Sequence, residues 1–395
     1  MKLKLRLQHL LGDKAEQRGL IAEIQKATRL ERHTISAMLH SSVKYVSLDA
    51  LGKICDYLVH HQGVDAARLP GDLFVLEPDG FWTMLADLKR TEFCLATRSH
   101  PDWPERDHIM ADDAHLQAMI VSRISSHVAP PKAELPANDA LGHERSWQHL
   151  VPAPRPIRSK DGVVLRTLEG GREDARAIFR KFRKGARPGS LVAIGSIKVQ
   201  NILEYMLADT FAATPFASED GVAEPHDRSC PIYFRYKTTD VAPVSLCGGN
   251  TLSQTYAPTQ PGIYYETSGG HWECCPTTKA THDSGFVFYA YRPNVDQLRL
   301  ACGGFTGAAT RMLSIAFDQI ASACWEPQYM TSDLLVGMFV IAFDIRGRTS
   351  TKQRDPRAAR FDFTVIPLPV EAVAPRVKRR RRAASGGKPA STAAD

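Results

Sequence analysis

Between residues 1 and 70 the apolar positions repeat at intervals of three and four, which predicts four or five short helices. Leu3, Leu7, Leu10 and Leu11 outline an amphipathic first helix. The second runs through GLIAEIQKAT (19–28), the third through ERHTISAML (31–39) and the fourth through SLDALGKICDYLVHH (47–61). In the fourth, Leu48, Leu51, Ile54, Cys55 and Leu58 form one apolar stripe, and Ser47 stands before it as an N-cap. In the third, Ile35 and Leu39 lie one turn apart and bury with Leu30, turning Arg32, His33, Ser36, Ala37 and His40 outward. Pro70 and Gly71 end this pattern, and Phe81 and Trp82 are expected to dock a connecting helix (73–90) onto the next domain.

From Thr91 the period changes. TEFCLATRS (91–99), SLVAIGS (190–196), CPIYFRY (230–236), GFVFYAY (285–291), QLRLACGG (297–304) and LVGMFVIAFDIR (335–346) read as strands. ADDAHLQAMIVSRI (111–124), VQNILEYMLADTFA (199–212) and GAATRMLSIAFDQIAS (307–322) read as helices between them. Apolar strands without strict alternation point to an α/β sheet covered on both faces over 91–350, with a loop-rich stretch at 127–160.

A chain of 395 residues implies two or three domains. No run of about 18 apolar residues suggests a membrane span. The basic, leucine-containing start lacks the uninterrupted apolar core and cleavage site of a signal peptide. Eight scattered cysteines read as reduced thiols, so a cytoplasmic protein is expected. Charge changes the picture more. Residues 1–70 hold 11 Lys/Arg against 7 Asp/Glu, and 371–395 hold 7 against 2, whereas 71–370 hold 32 against 34. A basic excess at both ends fits nucleic acid contacted by the terminal parts. The run from Arg376 to Arg382 opens a tail, 371–395, whose composition predicts disorder and salt-dependent affinity for DNA.

The outward face of the third helix holds donors, small residues and one acid, Glu31, a combination suited to the major groove of DNA. The span from Ile21 to Leu58 resembles the Cro/repressor-type helix-turn-helix, the xenobiotic-response-element family of bacterial regulators. Ile24, Ala27, Thr28, Leu30, Thr34, Ile35, Ser36 and Leu39, and the helix starting Ser47-Leu48-Asp49-Ala50-Leu51, carry the likeness. The resemblance implies an all-α DNA-binding domain over 1–72. Arg32, His33, Thr34, Ser36 and Ala37 then read base edges, while the loop with Ser42 and Lys44 meets phosphate. The departure is Arg29, where the family's turn usually has glycine and a positive φ; a larger residue there costs about 1 kcal/mol.

Two turns in the α/β region open helices with small residues: Gly195-Ser196-Ile197-Lys198 leading to Asn201 and Glu204, and Gly303-Gly304-Phe305-Thr306-Gly307 leading to Thr310. Such turns leave backbone N–H groups at a positive helix end, ready for an anion or a nucleotide-like ligand, or serve only close packing. The strand–helix alternation is similar to a Rossmann-like domain that follows helix-turn-helix modules in some bacterial regulators. Adjacent Cys274 and Cys275 cannot both point at one ion, so no metal is expected near His271; a surface loop around Trp272 is the expectation there. No nucleophile elbow is present, and no catalytic residue or cofactor is assigned.

The expectation is a multidomain chain: a helix-turn-helix domain, a Rossmann-like α/β domain that senses a small ligand or oligomerises, and a disordered basic tail. The partners expected are double-stranded DNA, a small-molecule ligand and a second copy in a homodimer, with no membrane and a cytoplasmic, nucleoid-associated location. The alternative is a nucleotide-processing enzyme or defence-type effector with an autoregulatory helix-turn-helix.

Overall fold

The computed structural model divides the chain into two compact units, Met1–Asp79 and Gly80–Asp395. The described residues exclude 1, 6, 12–13, 15–16, 18, 40–42, 44, 68, 70–72, 78–79, 87, 89, 100–106, 128–145, 154–156, 159–163, 186–187, 220, 223, 241–243, 253–259, 279–280, 332, 347–359 and 386–395. Ser42, Lys44, His40 and most of the 127–160 stretch therefore lie outside them.

The first unit opens differently from the helix expected of Leu3 to Leu11. Lysines and leucines alternate from Lys2 to Leu5, a two-residue period, and this segment forms β1 (Lys2–Leu5). It pairs antiparallel with β2 (Phe74–Glu77), Leu5 opposite Phe74, so the ends of the unit are tied together. Only Leu7–Leu11 form α1. Helices α2 (Leu20–Thr28), α3 (Arg32–Leu39) and α4 (Leu48–Gln62) come next. Their core gathers Leu7, Leu20, Ile24, Ile35, Met38, Ile54, Tyr57 and Leu58. Ser47 caps α4, its Oγ accepting from the Ala50 N–H at 3.1 Å. Leu48 is 85% exposed, against the predicted stripe, because the first helical residue leans off the end of the core; Tyr57 is buried instead.

The expected connecting segment is split between the units. β2 closes the first, while α5 (Phe81–Ala86) packs in the second, with Phe81 edge-on to Tyr289 and Phe317.

The second unit is built on a nine-stranded sheet. Its strands are β3 (Thr91–Ser99), β4 (Asp107–Ile109), β5 (Ser146–Pro152), β8 (Gly189–Ile194), β13 (His282–Arg292), β14 (Gln297–Gly304), β15 (Tyr329–Met330), β16 (Leu335–Arg346) and β17 (Arg360–Pro367). A hairpin, β6 (Ile157–Arg158) with β7 (Val164–Arg166), stands apart, as does a four-stranded sheet of β9 (Ile232–Arg235), β10 (Gly248–Gly249), β11 (Gly262–Glu266) and β12 (Trp272–Pro276). β5, β3, β8 and β14 run parallel in that spatial order. From β14 through β13 and β16 to β17 every pairing is antiparallel. The alternation of strands and helices carries no sign of this second, antiparallel half, which departs from the parallel sheet of a Rossmann-like domain.

Both faces are covered, as the continuous apolar strands require. One face packs against α5, α6 (Ala111–His127), α9 (Gly307–Ile315) and α10 (Phe317–Ala323). The other packs against α7 (Leu168–Lys184), α8 (Asn201–Phe211), the small sheet and α11 (Val370–Ser385). The domain thus extends past 350, and the tail expected to be disordered begins as a helix. Ala372, Val373 and Val377 bury one side of it, and Arg376 lies beneath with 2% exposure. The arginine run dominated the composition, but the preceding VEAVAPRV has a helical apolar face.

Candidate functional site

The first site is the α2–turn–α3 unit. Arg29 adopts φ 57° and ψ 23°, the left-handed conformation glycine takes without cost, and its N–H donates to the Gln25 carbonyl at 2.8 Å. The Thr28 hydroxyl donates to the Ile24 carbonyl at 2.7 Å and accepts from the Leu30 N–H at 3.3 Å, holding the turn from inside. Arg29→Gly is therefore expected to raise stability by about 0.5–1 kcal/mol while Arg29→Ala, which keeps the Cβ, leaves it unchanged. Urea unfolding of both variants checks this; equal effects would show that backbone strain is not what Arg29 contributes.

On α3, Ile35, Met38 and Leu39 are buried, Arg32 and His33 are exposed, and Thr34, Ser36 and Ala37 sit at the margin. Arg32 and His33 thus point outward as expected, Ser36 and Ala37 are half-buried, and His40 lies outside the described residues. His33 Nδ1 lies 3.0 Å from a Glu31 carboxylate oxygen. Arg32, His33 and Ser36 line a shallow concavity of about 660 Å³ together with Ile21, Gln25 and Glu31. Gln25 was not singled out from the sequence, although its place one turn after Ile21 on α2 puts both on one face.

The second site is the carboxyl edge of the parallel strands. Leu95 pairs with Ile194, and Ile194 with Cys302, so Thr97, Gly195 and Gly303 come to adjacent strand ends. Gly195 has φ +118° and donates its N–H to the Cys302 carbonyl at 3.1 Å. A Cβ on Gly303 would stand 2.7 Å from the Gly195 carbonyl carbon. One on Gly304 would strike the Thr310 backbone nitrogen. Close packing therefore suffices to demand these two glycines. Ser196 is buried, and its carbonyl accepts from the N–H groups of Val199 and Gln200, each at 3.0 Å.

Three further expected ligand residues face inward instead. Asn201 is buried and donates from Nδ2 to the Pro152 carbonyl at 3.1 Å. Glu204 accepts from the N–H groups of Leu246 and Phe216, each at 2.8 Å, and from the Ser245 hydroxyl at 2.6 Å. Burial pushes its carboxyl up, and these donors, all from distant loops, oppose the shift. Its carboxylate is spent on holding those loops. Thr310 is likewise internal, accepting from the Gly304 N–H at 3.0 Å.

Lys198, Thr306 and Gly307 remain at the edge. The Lys198 ammonium lies 4.3 Å above the Phe305 ring and 3.3 Å from Asp240. Burial pulls its pKa down, with Asp240 and Asp283 opposing. Thr306 caps α9, accepting from the Ala309 N–H at 3.2 Å, and donates to Asp283. Asp283 and Asp240 come from segments far from either glycine turn, and no local spacing links them to Lys198. The stretch around Trp272 is strand β12 and not a loop; Cys275 is buried on one face and Cys274 packs by Tyr233 and Tyr264 on the other. Among the described residues no cluster of His, Cys, Asp and Glu could hold a metal ion, and no helix is long and apolar enough to cross a membrane.

Residues 6–60 match the Cro/C1-type HTH DNA-binding domain. The match spans α1 to α4, so the first unit carries a helix-turn-helix DNA-binding domain. No curated protein and no solved structure matches the chain.

Proposed function

We propose that the chain is a sequence-specific transcriptional regulator that binds DNA as a dimer and senses a small ligand in its second unit. The observation that carries this reading is the α2–α3 pair, joined through a left-handed Arg29 and presenting Arg32 and His33 outward from a buried Ile35–Met38–Leu39 side. Entered into the major groove, α3 offers Arg32, His33, Thr34, Ser36 and Ala37 to base edges, while Ser42 and Lys44, which follow it in the sequence, meet phosphate. One such helix makes few base contacts, so specific binding calls for two copies on half-sites about one helical turn apart. Ligand sensing is assigned to the carboxyl edge, where Lys198, Thr306 and Gly307 face an anionic group with the α9 N-terminus behind them.

A gel shift on the segment upstream of the protein's own gene tests the DNA reading. Arg32→Ala is expected to weaken binding by about 10- to 100-fold, the range of one lost base contact of 1–3 kcal/mol. No shift by the wild-type protein at low salt would overturn it.

A further inference from the structure

The nine-stranded sheet ends on β17, an eight-residue strand that pairs with β16 on one side and, among the described residues, with no strand on the other. The ladder fixes which of its backbone groups are left over. The Ile345 N–H donates to the Thr281 carbonyl at 2.7 Å, so odd-numbered residues of β16 bond towards β13 and even-numbered ones towards β17. The Leu368 N–H, donating to the Met338 carbonyl at 3.1 Å, gives the same phase. Asp362 and Thr364, opposite Asp344 and Ala342, therefore spend their N–H and C=O groups on β16. Phe361, Phe363 and Val365 aim theirs at the open edge. Pro367, with no N–H to offer, falls at the next outward position, where a strand accommodates proline.

The same three residues share one face, half-buried against the side of the sheet that carries Phe343 and Ile345. Arg360, Asp362 and Thr364 are exposed on the other face, where Asp362 holds Arg346 of β16 at 2.5 Å. An edge of this kind is a template for another strand. A second copy fits it closely. In an antiparallel pair about a twofold axis at Phe363, Phe363 faces its own counterpart, Phe361 faces the partner's Val365, and Asp362 faces the partner's Thr364. Every outward N–H and C=O of the three residues then finds a partner, and apolar side chains meet apolar ones. Moving the axis to Asp362 sets two carboxylates against each other. Moving it to Thr364 leaves the Phe361 carbonyl opposite a proline nitrogen.

We infer that β17 is the edge through which two copies of this chain join, antiparallel and in register about Phe363. The inference rests on the dimeric reading proposed above and puts the contact between copies in the second unit.

Sedimentation velocity of the full chain without DNA, over a dilution series, tests it together with amide exchange. Wild type is expected to dissociate on dilution, with exchange within 360–367 quickening as it does. Thr364→Asp sets an acid opposite the partner's Asp362 at both symmetric positions and is expected to weaken the dimer at least about threefold, whereas Thr364→Arg is expected to tighten it by a similar factor. Loss of folding cannot imitate that reversal of sign. Val365→Pro, at a position whose N–H β16 does not use, is expected to weaken the dimer at least about tenfold while its melting curve shows it folded. A monomer at every concentration, a dimer that the two Thr364 variants shift in one direction or not at all, or exchange at 360–367 that ignores concentration overturns the assignment. The wild-type gel shift reads DNA binding separately: a shift by a chain that is monomeric without DNA fails the edge alone, and a dimer without a shift fails the DNA reading alone.

Discussion

Arg376→Met, with Glu266 left in place, is expected to cost the second unit about 3–5 kcal/mol, the usual penalty for stranding one charge of a buried pair. Arg376 and Glu266 lie 2.5 Å apart and are almost fully buried. The remaining guanidinium donors of Arg376 are also used: Nε donates to the Arg228 carbonyl at 2.8 Å, Nη2 to the Pro225 carbonyl at 2.9 Å, and Nη1 to the Ala372 carbonyl within α11. Arg228 is itself fully buried, its guanidinium 4.9 Å over the Tyr233 ring. One side chain thus ties α11 to the loop before β9 and to β11. The double variant Glu266→Gln, Arg376→Met removes both charges and is expected to recover most of the loss, since a well-packed neutral pair is about as stable as a buried ionic one. Lys378→Ala, two residues on and exposed, is expected to change stability by less than about 0.5 kcal/mol. Urea unfolding followed by tryptophan fluorescence reads all three. A loss below about 1 kcal/mol for Arg376→Met would mean that α11 does not hold the sheet, and that the basic run acts as one solvated tail.

That contrast shows what was legible in the sequence. Local periodicity found α2, α3 and α4, the Ser47 cap and the outward face of α3, because a helix's faces follow from residues three and four apart. It also identified Arg29 as the turn residue that takes a positive φ. Leu3 fits both the helical spacing to Leu7 and the two-residue alternation within KLKLRL, and only pairing with a strand about 70 residues away decides for the second. Composition concealed Arg376 among its charged neighbours, since what distinguishes it is Glu266, 110 positions earlier. The same limit applies at the carboxyl edge. The spacing around Gly195 and Gly303 located the edge, but it could not separate Lys198, which stays near the surface, from Glu204, whose donors come from two remote loops. Asp113 has Asp112 beside it in the sequence, but the burial that chiefly raises its carboxyl, next to Gly195 at the end of a distant strand, is not visible in local spacing.

Asp113 also sets a stability that depends on pH in an unusual direction. Burial, reinforced by the charge of Asp112 and opposed by Arg98, pushes its carboxyl from 3.8 up to about 7. The folded state therefore holds a proton that the unfolded chain has released, and stability falls as pH rises between those two values. At about 1.4 kcal/mol per pH unit, wild type is expected to lose about 3 kcal/mol between pH 5 and pH 8 through this group alone. Asp113→Asn carries no charge at either pH, so its advantage over wild type is expected to grow by that amount across the same interval. Urea midpoints at pH 5, 6, 7 and 8 for both proteins give the comparison directly, and subtracting the two curves cancels every other titrating group. Parallel curves would show that Asp113 is solvated or paired in solution.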